Sequence, residues 1–321
     1  MLDKLKYIAR AYSQIHVPDG SPNVFLFSTP RSGSTWLMEL IWSQPGFKFC
    51  DEPLNIRDPL VARTLGISDW LHLYHLDALP AIERYFRGFC AGTLKFKNPR
   101  PFSRHYRPVT RRIVFKEIHA GHDRINWFRD SFNGRIIYLV RHPIAVSLSR
   151  EVYATVDALI HSDYRRNFTS EQLRFSRRIL ESGSKLERGV LAWCLQNAVP
   201  LRDATDDWTV VSYEQLVIEP RPVVEYLAQR LQLPDPQRML RLLHVPSFSE
   251  RKSDAETRRL LETNPSERHR LVDKWCTRVT ESEERCLMEI LDRFDLDVYR
   301  FGTPLPAERV WISPQVARAS Q

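Results

Sequence analysis

The chain has 321 residues, of which 43% are hydrophobic and 27% charged, so it can bury a sizeable core and is neither a disordered nor a collagen-like protein. Its formal net charge of +8 favours anionic partners such as phosphates, sulfates or nucleic acid, without choosing among them. The longest apolar runs fall far short of the roughly 18 to 20 residues that cross a bilayer, so we expect no membrane span.

The first strong structural signal is the apolar run at residues 24–27 (VFLF), which is typical of a strand buried on both faces of a parallel sheet. A polar loop follows, and apolar residues then recur at helical spacing over residues 36–42. A second unit of this kind has a strand at residues 136–140 (IIYLV) and a helix opened by Pro143. Two such units predict an α/β fold: a single P-loop-like domain with a central parallel sheet flanked by helices.

Further elements are predicted between and after these two units. Strands are expected at residues 93–97, 113–116 and 208–212, and helices at residues 68–89 and 186–202. No repeat or linker divides the chain, so the sequence predicts one domain.

We place that domain at residues 23–300, after an N-terminal helix or arm at residues 1–22 and before an extended tail at residues 301–321. Residues 153–184 are more polar than their surroundings, so they are either a solvated helical face or an inserted lid over the substrate. The five widely spaced cysteines form no Cys-x-x-Cys pair, which favours buried free thiols in a reducing compartment. Together with the missing secretory h-region, this predicts a cytoplasmic protein.

The loop after the first strand, residues 29–36 (TPRSGSTW), has the composition of an anion-binding site. Free N–H groups and the dipole at the start of a helix favour an anion, and Gly33 allows it to approach closely. The loop also supplies a cation and several hydroxyl donors: Arg31, Ser32, Ser34 and Thr35. The chain contains no Gly-Lys dipeptide and therefore no Walker-type loop, which disfavours a P-loop kinase.

The second unit adds another candidate anion site. Arg141 ends its strand, and Ser149 lies eight residues further on, which its spacing places about a turn and a half into the following helix. Both side chains can face one groove and bind a second, distant phosphate. A salt-bridged surface arginine is the alternative explanation for Arg141.

These motifs resemble those of the sulfotransferases that use 3′-phosphoadenosine 5′-phosphosulfate (PAPS). Residues 29–37 (TPRSGSTWL) are similar to the family's 5′-phosphosulfate loop, including Trp36, and residues 138–150 (YLVRHPIAVSLSR) to its 3′-phosphate motif. The resemblance extends over about residues 23–294, and it implies that Tyr213 lies beside the adenine.

A late Arg-Lys pair of that family also contacts the nucleotide. Arg251 and Lys252 stand where the resemblance places it, followed here by Ser253 in place of the usual glycine. Arg31 and the sequence Asp51-Glu52-Pro53 are closer to carbohydrate-type sulfotransferases than to the cytosolic phenol and steroid enzymes.

The resemblance implies that the sulfuryl group of PAPS moves, without a metal, to a hydroxyl of a carbohydrate, lipid or secondary metabolite. Arg31 and Lys116, which closes the strand at 113–116, are the cations expected to act, and Glu52 or His119 is the base. Histidine-base members usually show Lys-x-His, whereas His119 comes three residues after Lys116. The extra residue is expected to turn His119 to the other face of the chain, which favours Glu52.

Two other functions agree with parts of the sequence. One is a kinase-like phosphotransferase, and the other is a non-catalytic protein that binds polyanions through its paired arginines. The chain shows no zinc finger or aromatic RNA-binding motif, so we expect no nucleic-acid partner. The sequence carries no signal for the oligomeric state.

Overall fold

The computed structural model describes residues 12–150, 154–248 and 267–312. In chain order its strands are β1 Ile15–His16, β2 Asn23–Ser28, β3 Phe47–Asp51, β4 Val109–Thr110, β5 Arg112–Glu117, β6 Gly134–Val140 and β7 Trp208–Ser212. Five of them form one sheet in the order β3-β5-β2-β6-β7, and every neighbouring pair is parallel. β1 and β4 form a separate two-stranded ladder.

Helices cover both faces of the five-stranded sheet. In chain order they are α1 Ser34–Trp42, α2 Pro59–Leu65, α3 Trp70–Leu73, α4 Leu79–Cys90, α5 Ile125–Ser131, α6 Pro143–Ser147, α7 Ala154–His161, α8 Ser170–Ser182, α9 Lys185–Asp203, α10 Tyr213–Ile218, α11 Pro220–Leu231, α12 Pro236–Leu242, α13 His269–Asp273 and α14 Glu281–Asp292. Short 3₁₀ turns lie at Leu76–Ala78, Asp163–Asn167 and Glu308–Val310.

The central strand β2 shows why the sheet is covered on both sides. Phe25 and Phe27 pack into one apolar core with α4, α5 and α9, whereas Val24 and Leu26 pack into a second core with α1 and α11. All four side chains are buried, because alternate residues of a strand point to opposite faces. The predicted α/β fold with a central parallel sheet flanked by helices is confirmed.

Two predicted elements differ in the structure. The strand expected at residues 93–97 is wrong, because the N–H groups of Thr93 and Leu94 both bond to the carbonyl of Gly88 and close the end of α4 instead. The helix expected at residues 68–89 is divided into α3, a 3₁₀ turn and α4. Pro80 lies in the first turn of α4, where it lacks an N–H to continue a preceding helix.

The predicted N-terminal arm, C-terminal tail and possible lid can be compared with the structure only in part. Residues 1–11 and 313–321, with Arg251 and Lys252, lie outside the described residues, and the domain limits stay a prediction. Residues 153–184 contain the helices α7 and α8. Tyr164 is buried there, while Arg165, Arg166, Arg177 and Arg178 are exposed. That this segment covers the substrate as a lid stays a prediction. No helix in the described ranges is long and apolar enough to cross a membrane.

All five cysteines are free thiols, but burial was predicted for each and this is wrong for two of them. Cys276 and Cys286 lie at the surface, because they are in the turn before α14 and on its outer face. The remaining three are buried or half-buried.

Candidate active site

The carboxyl ends of the parallel strands meet at one edge of the sheet, where α/β proteins bind ligands. After β2, Ser32 turns back on Thr29 through a 2.7 Å contact between their hydroxyl oxygens. Arg31 and Gly33 have left-handed backbones, with φ of 71° and 86°. A Cβ on Gly33 would lie 2.6 Å from Cδ2 of Tyr213, so only glycine lets this loop pack against that ring.

Tyr213 joins the two predicted motifs. The guanidinium carbon of Arg141 lies 4.0 Å from the centre of the Tyr213 ring, in a cation–π contact. Nη1 of Arg141 also donates a 3.0 Å hydrogen bond to the carbonyl of Arg31. The ring of Trp36 meets the Tyr213 ring edge-on at 6.3 Å, so loop, helix and second strand converge on one aromatic side chain.

Ser149 does not lie inside a helix as predicted. α6 ends at Ser147, and the Ser149 hydroxyl donates to the carbonyl of Val146 at 3.0 Å in the turn that follows. Ser149 nevertheless lines the same cavity as Arg141, which we call the Arg141 cavity, of about 200 Å³. Its lining consists of Arg31, Arg141, Ala145, Leu148, Ser149, Tyr213, Leu271, Val272, Lys274, Trp275 and Arg278.

Lys116 is a buried ion-pair partner and not a surface lysine, since its side chain is 3% exposed. Its Nζ lies 2.7 Å from Asp51 Oδ1, 3.0 Å from Glu52 Oε1 and 3.0 Å from the hydroxyl of Thr35. Burial alone would lower the pKa of Lys116, but the two carboxylates outweigh burial and raise it, so the ammonium stays charged. The ammonium connects β3, β5 and the start of α1.

Glu52 contacts both candidate groups for acid–base chemistry. Its Oε2 lies 3.1 Å from Nε2 of His119 and accepts a 3.0 Å hydrogen bond from the side chain of Asn55. Partial burial alone would raise the pKa of Glu52, but the hydrogen bond with His119 and the charge of Lys116 hold it well below its usual range. Glu52 is therefore a carboxylate at neutral pH.

The extra residue after Lys116 was expected to turn His119 to the other face of the chain, but the His119 ring contacts Glu52, and Glu117 explains why. β5 ends at Glu117, whose buried carboxylate accepts the backbone N–H groups of Ile118, His119 and Ala120 and bends the chain. The same carboxylate accepts the N–H of Leu54 from the neighbouring loop at 2.9 Å. Glu117 thus holds the Glu52 loop and the His119 loop together.

A second cavity, of about 220 Å³, lies over these groups and is called the Glu52 cavity. Its lining consists of Pro30, Arg31, Glu52, Asn55, Arg57, Ile118, His119, Ser149, Arg150 and Gln196. Arg31 and Ser149 line both cavities, so the two adjoin. A third cavity, of about 430 Å³, runs along β3 and contains Asp51 but none of Arg31, Glu52 and His119, so it lies outside this chemistry.

The arrangement places the predicted anion-binding loop next to the carboxylate of Glu52, which contacts both the Lys116 ammonium and the His119 imidazole. A comparison with protein-family models matches residues 21–294 to the sulfotransferase domain family. The chain belongs to this family. The predicted resemblance is confirmed, and the protein is a sulfotransferase.

Solved structures similar to this sulfotransferase are distant. The sulfotransferase domain of the Synechococcus PCC 7002 olefin synthase is 17% identical, covering 90% of this chain and 98% of that one, with a TM-score of 0.45. Mouse sulfotransferase SULT7A1 complexed with PAP is 16% identical, covering 90% and 88%, with a TM-score of 0.41. The comparison with curated protein sequences found no match.

Sequence reasoning missed several residues of the sulfotransferase site. Asp51 was noted only beside Glu52, although it pairs with Lys116. The positions of Asn55, Arg57 and Gln196 carried no motif, and Arg150 was noted only as the last residue of the 3′-phosphate motif. Lys274 and Arg278 enter the Arg141 cavity from a region with no predicted role. Within the described ranges, no group of three or more His, Cys, Asp or Glu side chains is placed to hold a metal ion.

Proposed function

We propose that this sulfotransferase transfers the sulfuryl group of PAPS to a hydroxyl of an acceptor that enters the Glu52 cavity. One observation carries the proposal: Glu52, fixed by Lys116 and His119, lines the same cavity as Arg31 of the anion-binding loop. A proton acceptor and an anion-binding cation therefore face one space, as transfer of an anionic group to a hydroxyl requires.

The nucleotide side of the site fits PAPS. The loop at residues 32–35 offers hydroxyls and helix N–H groups for the 5′-phosphosulfate, at the close approach that Gly33 permits. Arg141 and Ser149 would bind the 3′-phosphate in the adjoining cavity, with Tyr213 beside the adenine. Arg251 and Lys252 are further proposed contacts, in the part of the chain that the structure does not describe.

The reaction forms a bond between the acceptor oxygen and sulfur as the bond from sulfur to the bridging phosphate oxygen breaks. Arg31 would stabilise the charge that develops on the leaving phosphate. Glu52 would accept the hydroxyl proton. His119, whose Nε2 lies 3.1 Å from Glu52 Oε2, would donate its N–H to the carboxylate and hold it in place.

Lys116 would act through Glu52 as a positioning residue. Both of its acidic contacts and the Thr35 hydroxyl lie within 3.0 Å, so its three N–H donors are used inside the protein. Its charge fixes the orientation of the Glu52 carboxylate and of the first turn of α1.

Incubation with labelled PAPS and a panel of hydroxylated acceptors tests the proposal directly. We expect transfer of the label and a product heavier by one sulfuryl group in the mass spectrum. ATP offered with the same acceptors should give no product. A phosphorylated product, or polyanion binding that disappears with salt and is independent of PAPS, would instead favour the alternative functions.

A further inference from the structure

We infer that the outer face of the β1–β4 ladder and the turn at residues 100–103 bind the surface of an anionic phospholipid membrane. We call this region the Phe102 face, and it consists of Ile15, Val17, Arg100, Phe102, Arg104 and Val109. The inference goes beyond the proposed function, because the face lies away from the reacting groups. Val109 precedes the amino end of β5, whereas Lys116 lies near the carboxyl end of that strand.

The conformation of Phe102 is the first observation. Phe102 is the third residue of a turn that is closed by a 3.2 Å hydrogen bond from the N–H of Ser103 to the carbonyl of Arg100. Its backbone is left-handed, with φ of 65°, a conformation that favours glycine and is costly for a bulky residue. The side chain is 99% exposed, so no burial within the chain offsets that cost. A strained turn that projects a phenyl ring into solvent indicates an apolar partner outside the chain.

The apolar face of the β1–β4 ladder is the second observation. Ile15 and Val109 are register partners, so their side chains lie on the same face of the ladder. His16 and Thr110 point to the other face and are buried. Val17 continues the alternation, and its N–H bonds to the carbonyl of Thr110 at 2.8 Å. All three aliphatic side chains are more than half exposed, and apolar residues grouped in this way mark an interaction site.

Hydrogen bonds join the turn to the ladder. The N–H of Tyr106 donates to the carbonyl of Ser103 at 2.9 Å, and the Tyr106 hydroxyl donates to the carbonyl of Ser13. The N–H of Ile15 donates to the carbonyl of Pro108 at 2.7 Å. The turn and the ladder are therefore parts of one connected surface.

The charge of this surface identifies its partner. Arg104 and Arg111 have exposed side chains that lie 3.9 and 4.0 Å from their nearest carboxylates, and exposed pairs of this kind are weak. Arg100, two residues before Phe102, is exposed and forms no ion pair with any residue that the structure describes. Apolar side chains that protrude among cations are typical of surfaces that bind anionic lipid headgroups. Residues 95–112 contain no Asp or Glu but seven cations: Lys95, Lys97, Arg100, Arg104, Arg107, Arg111 and Arg112.

Other partners agree less well with these observations. Two copies of the face would bring their cations together, and like charges repel. A nucleic acid would pair with the cations but would leave Ile15, Val17 and Val109 without an apolar partner. A membrane interface supplies both anionic headgroups and acyl chains.

Flotation of the whole protein with lipid vesicles tests the inference. The probes are vesicles of phosphatidylcholine and vesicles in which about one third of that lipid is replaced by phosphatidylglycerol, and we expect about 10-fold or tighter binding to the second kind. Phe102→Ser, Val109→Ser and Arg100→Gln should each weaken binding to the anionic vesicles about 5-fold, since each removes a buried apolar group or one cation.

Two matched variants outside the face serve as controls. Leu76→Ser removes a side chain that is 50% exposed, and Arg177→Gln removes an exposed cation of α8. Both should leave vesicle binding unchanged. Each variant should also bind adenosine 3′,5′-bisphosphate (PAP) as the wild type does, which shows that it is folded. Failure of the wild type to bind PAP would contradict the proposed function without affecting the vesicle result.

Equal binding to the two kinds of vesicle, no binding to either, or binding that Phe102→Ser and Arg100→Gln leave unchanged would overturn the inference. Sedimentation of the protein alone provides a further test. A dimer that Phe102→Ser dissociates would show that a second copy covers the face, and the inference would be wrong. Heparin that binds as tightly as the anionic vesicles, with no loss in Phe102→Ser, would show that charge alone is recognised and would also overturn it.

Discussion

The two cavities adjoin at Arg31 and Ser149 but are built differently. In the Arg141 cavity the polar side chains lie near the surface: Arg31 and Ser149 are exposed, and Arg141 stacks on Tyr213. Beneath the Glu52 cavity, by contrast, Lys116 is almost wholly buried between two carboxylates, that of Asp51 in β3 and that of Glu52 in the loop after β3. One region presents charges at the surface, and the other holds a buried network of paired charges.

This difference in burial indicates different tasks for the two groups of charges. Exposed cations bind anions at little cost in desolvation, but solvent and salt weaken them, which suits a nucleotide that must leave after each turnover. Buried charges act in a low dielectric and keep their geometry, which suits groups that stabilise or deprotonate a reacting atom. Changes in the buried network should therefore affect turnover, and changes at the surface should affect nucleotide binding, except at Arg31, which also lines the Glu52 cavity.

Replacing the base should have the largest effect. Glu52→Gln keeps the shape of the side chain but removes its basicity, so we expect turnover to fall about 10²-fold or more. PAP affinity, measured by calorimetry, should be unchanged, because no predicted nucleotide contact is lost. His119→Ala should cost less than Glu52→Gln. An active Glu52→Gln variant together with an inactive His119→Ala that still binds PAP would identify the histidine as the base.

Variants of Arg31 and Arg141 should separate an effect on turnover from an effect on nucleotide binding. Arg31→Ala removes a charge that faces the leaving group, so we expect turnover at saturating PAPS to fall by about 10- to 100-fold. Arg141→Ala should instead raise the Michaelis constant for PAPS and leave turnover close to the wild-type value. Steady-state kinetics with both variants checks this, and an Arg31→Ala effect confined to the Michaelis constant would exclude its catalytic role.

The anion-binding loop was predictable from the sequence because its contacts are local. Residues 29–36 follow a buried strand, and a glycine, hydroxyls and an arginine within eight residues predict an anion site, which stays a prediction. Tyr213 was predicted only through the family resemblance, since its contacts with Gly33 and Arg141 join residues far apart in the chain.

The acceptor side was predictable only in part because its contacts are long-range. β3 was missed because Lys48 interrupts its apolar pattern; in the structure Lys48 is buried, bonded to Asn98 at 2.9 Å, and burial lowers its pKa to about 8. The orientation of His119 depends on Glu117 binding four backbone N–H groups from two loops. No spacing rule in the sequence contains that arrangement.

Acid should remove the contribution of His142, the residue after Arg141, before that of Glu52. Burial, and then the charge of Arg141, lower the pKa of His142 to about 3, and its ring stacks on Trp275 at 4.2 Å. The folded protein keeps this imidazole neutral while the unfolded chain protonates it below about pH 6.5, so its contribution to stability is complete above that pH and declines towards pH 3. At pH 5 the loss from His142 is about 2 kcal/mol.

Urea unfolding at pH 7 and pH 5 measures this loss. His142→Phe retains a stacking ring without a titrating proton, so its stability should fall less between the two pH values than that of the wild type. His16, His105 and His122 also have lowered pKa values, of about 4, and contribute equally to both proteins. Identical losses would show that His142 is protonated in the folded state. Glu52, with a pKa held below its usual range, should lose its contribution only at lower pH.

The choice of nucleotide tests the same contrast from the side of the ligand. Arg141 and Ser149 are the proposed contacts of the 3′-phosphate, so PAP should raise the melting temperature more than ATP or AMP at equal concentration. One charge-assisted contact is worth about 1.5 to 3 kcal/mol, which corresponds to roughly 10- to 100-fold in affinity. Arg141→Ala should remove this preference while Glu52→Gln preserves it, because only the first lies on the nucleotide side. Equal shifts from PAP, ATP and AMP in the wild type would mean that the Arg141 cavity does not recognise the 3′-phosphate.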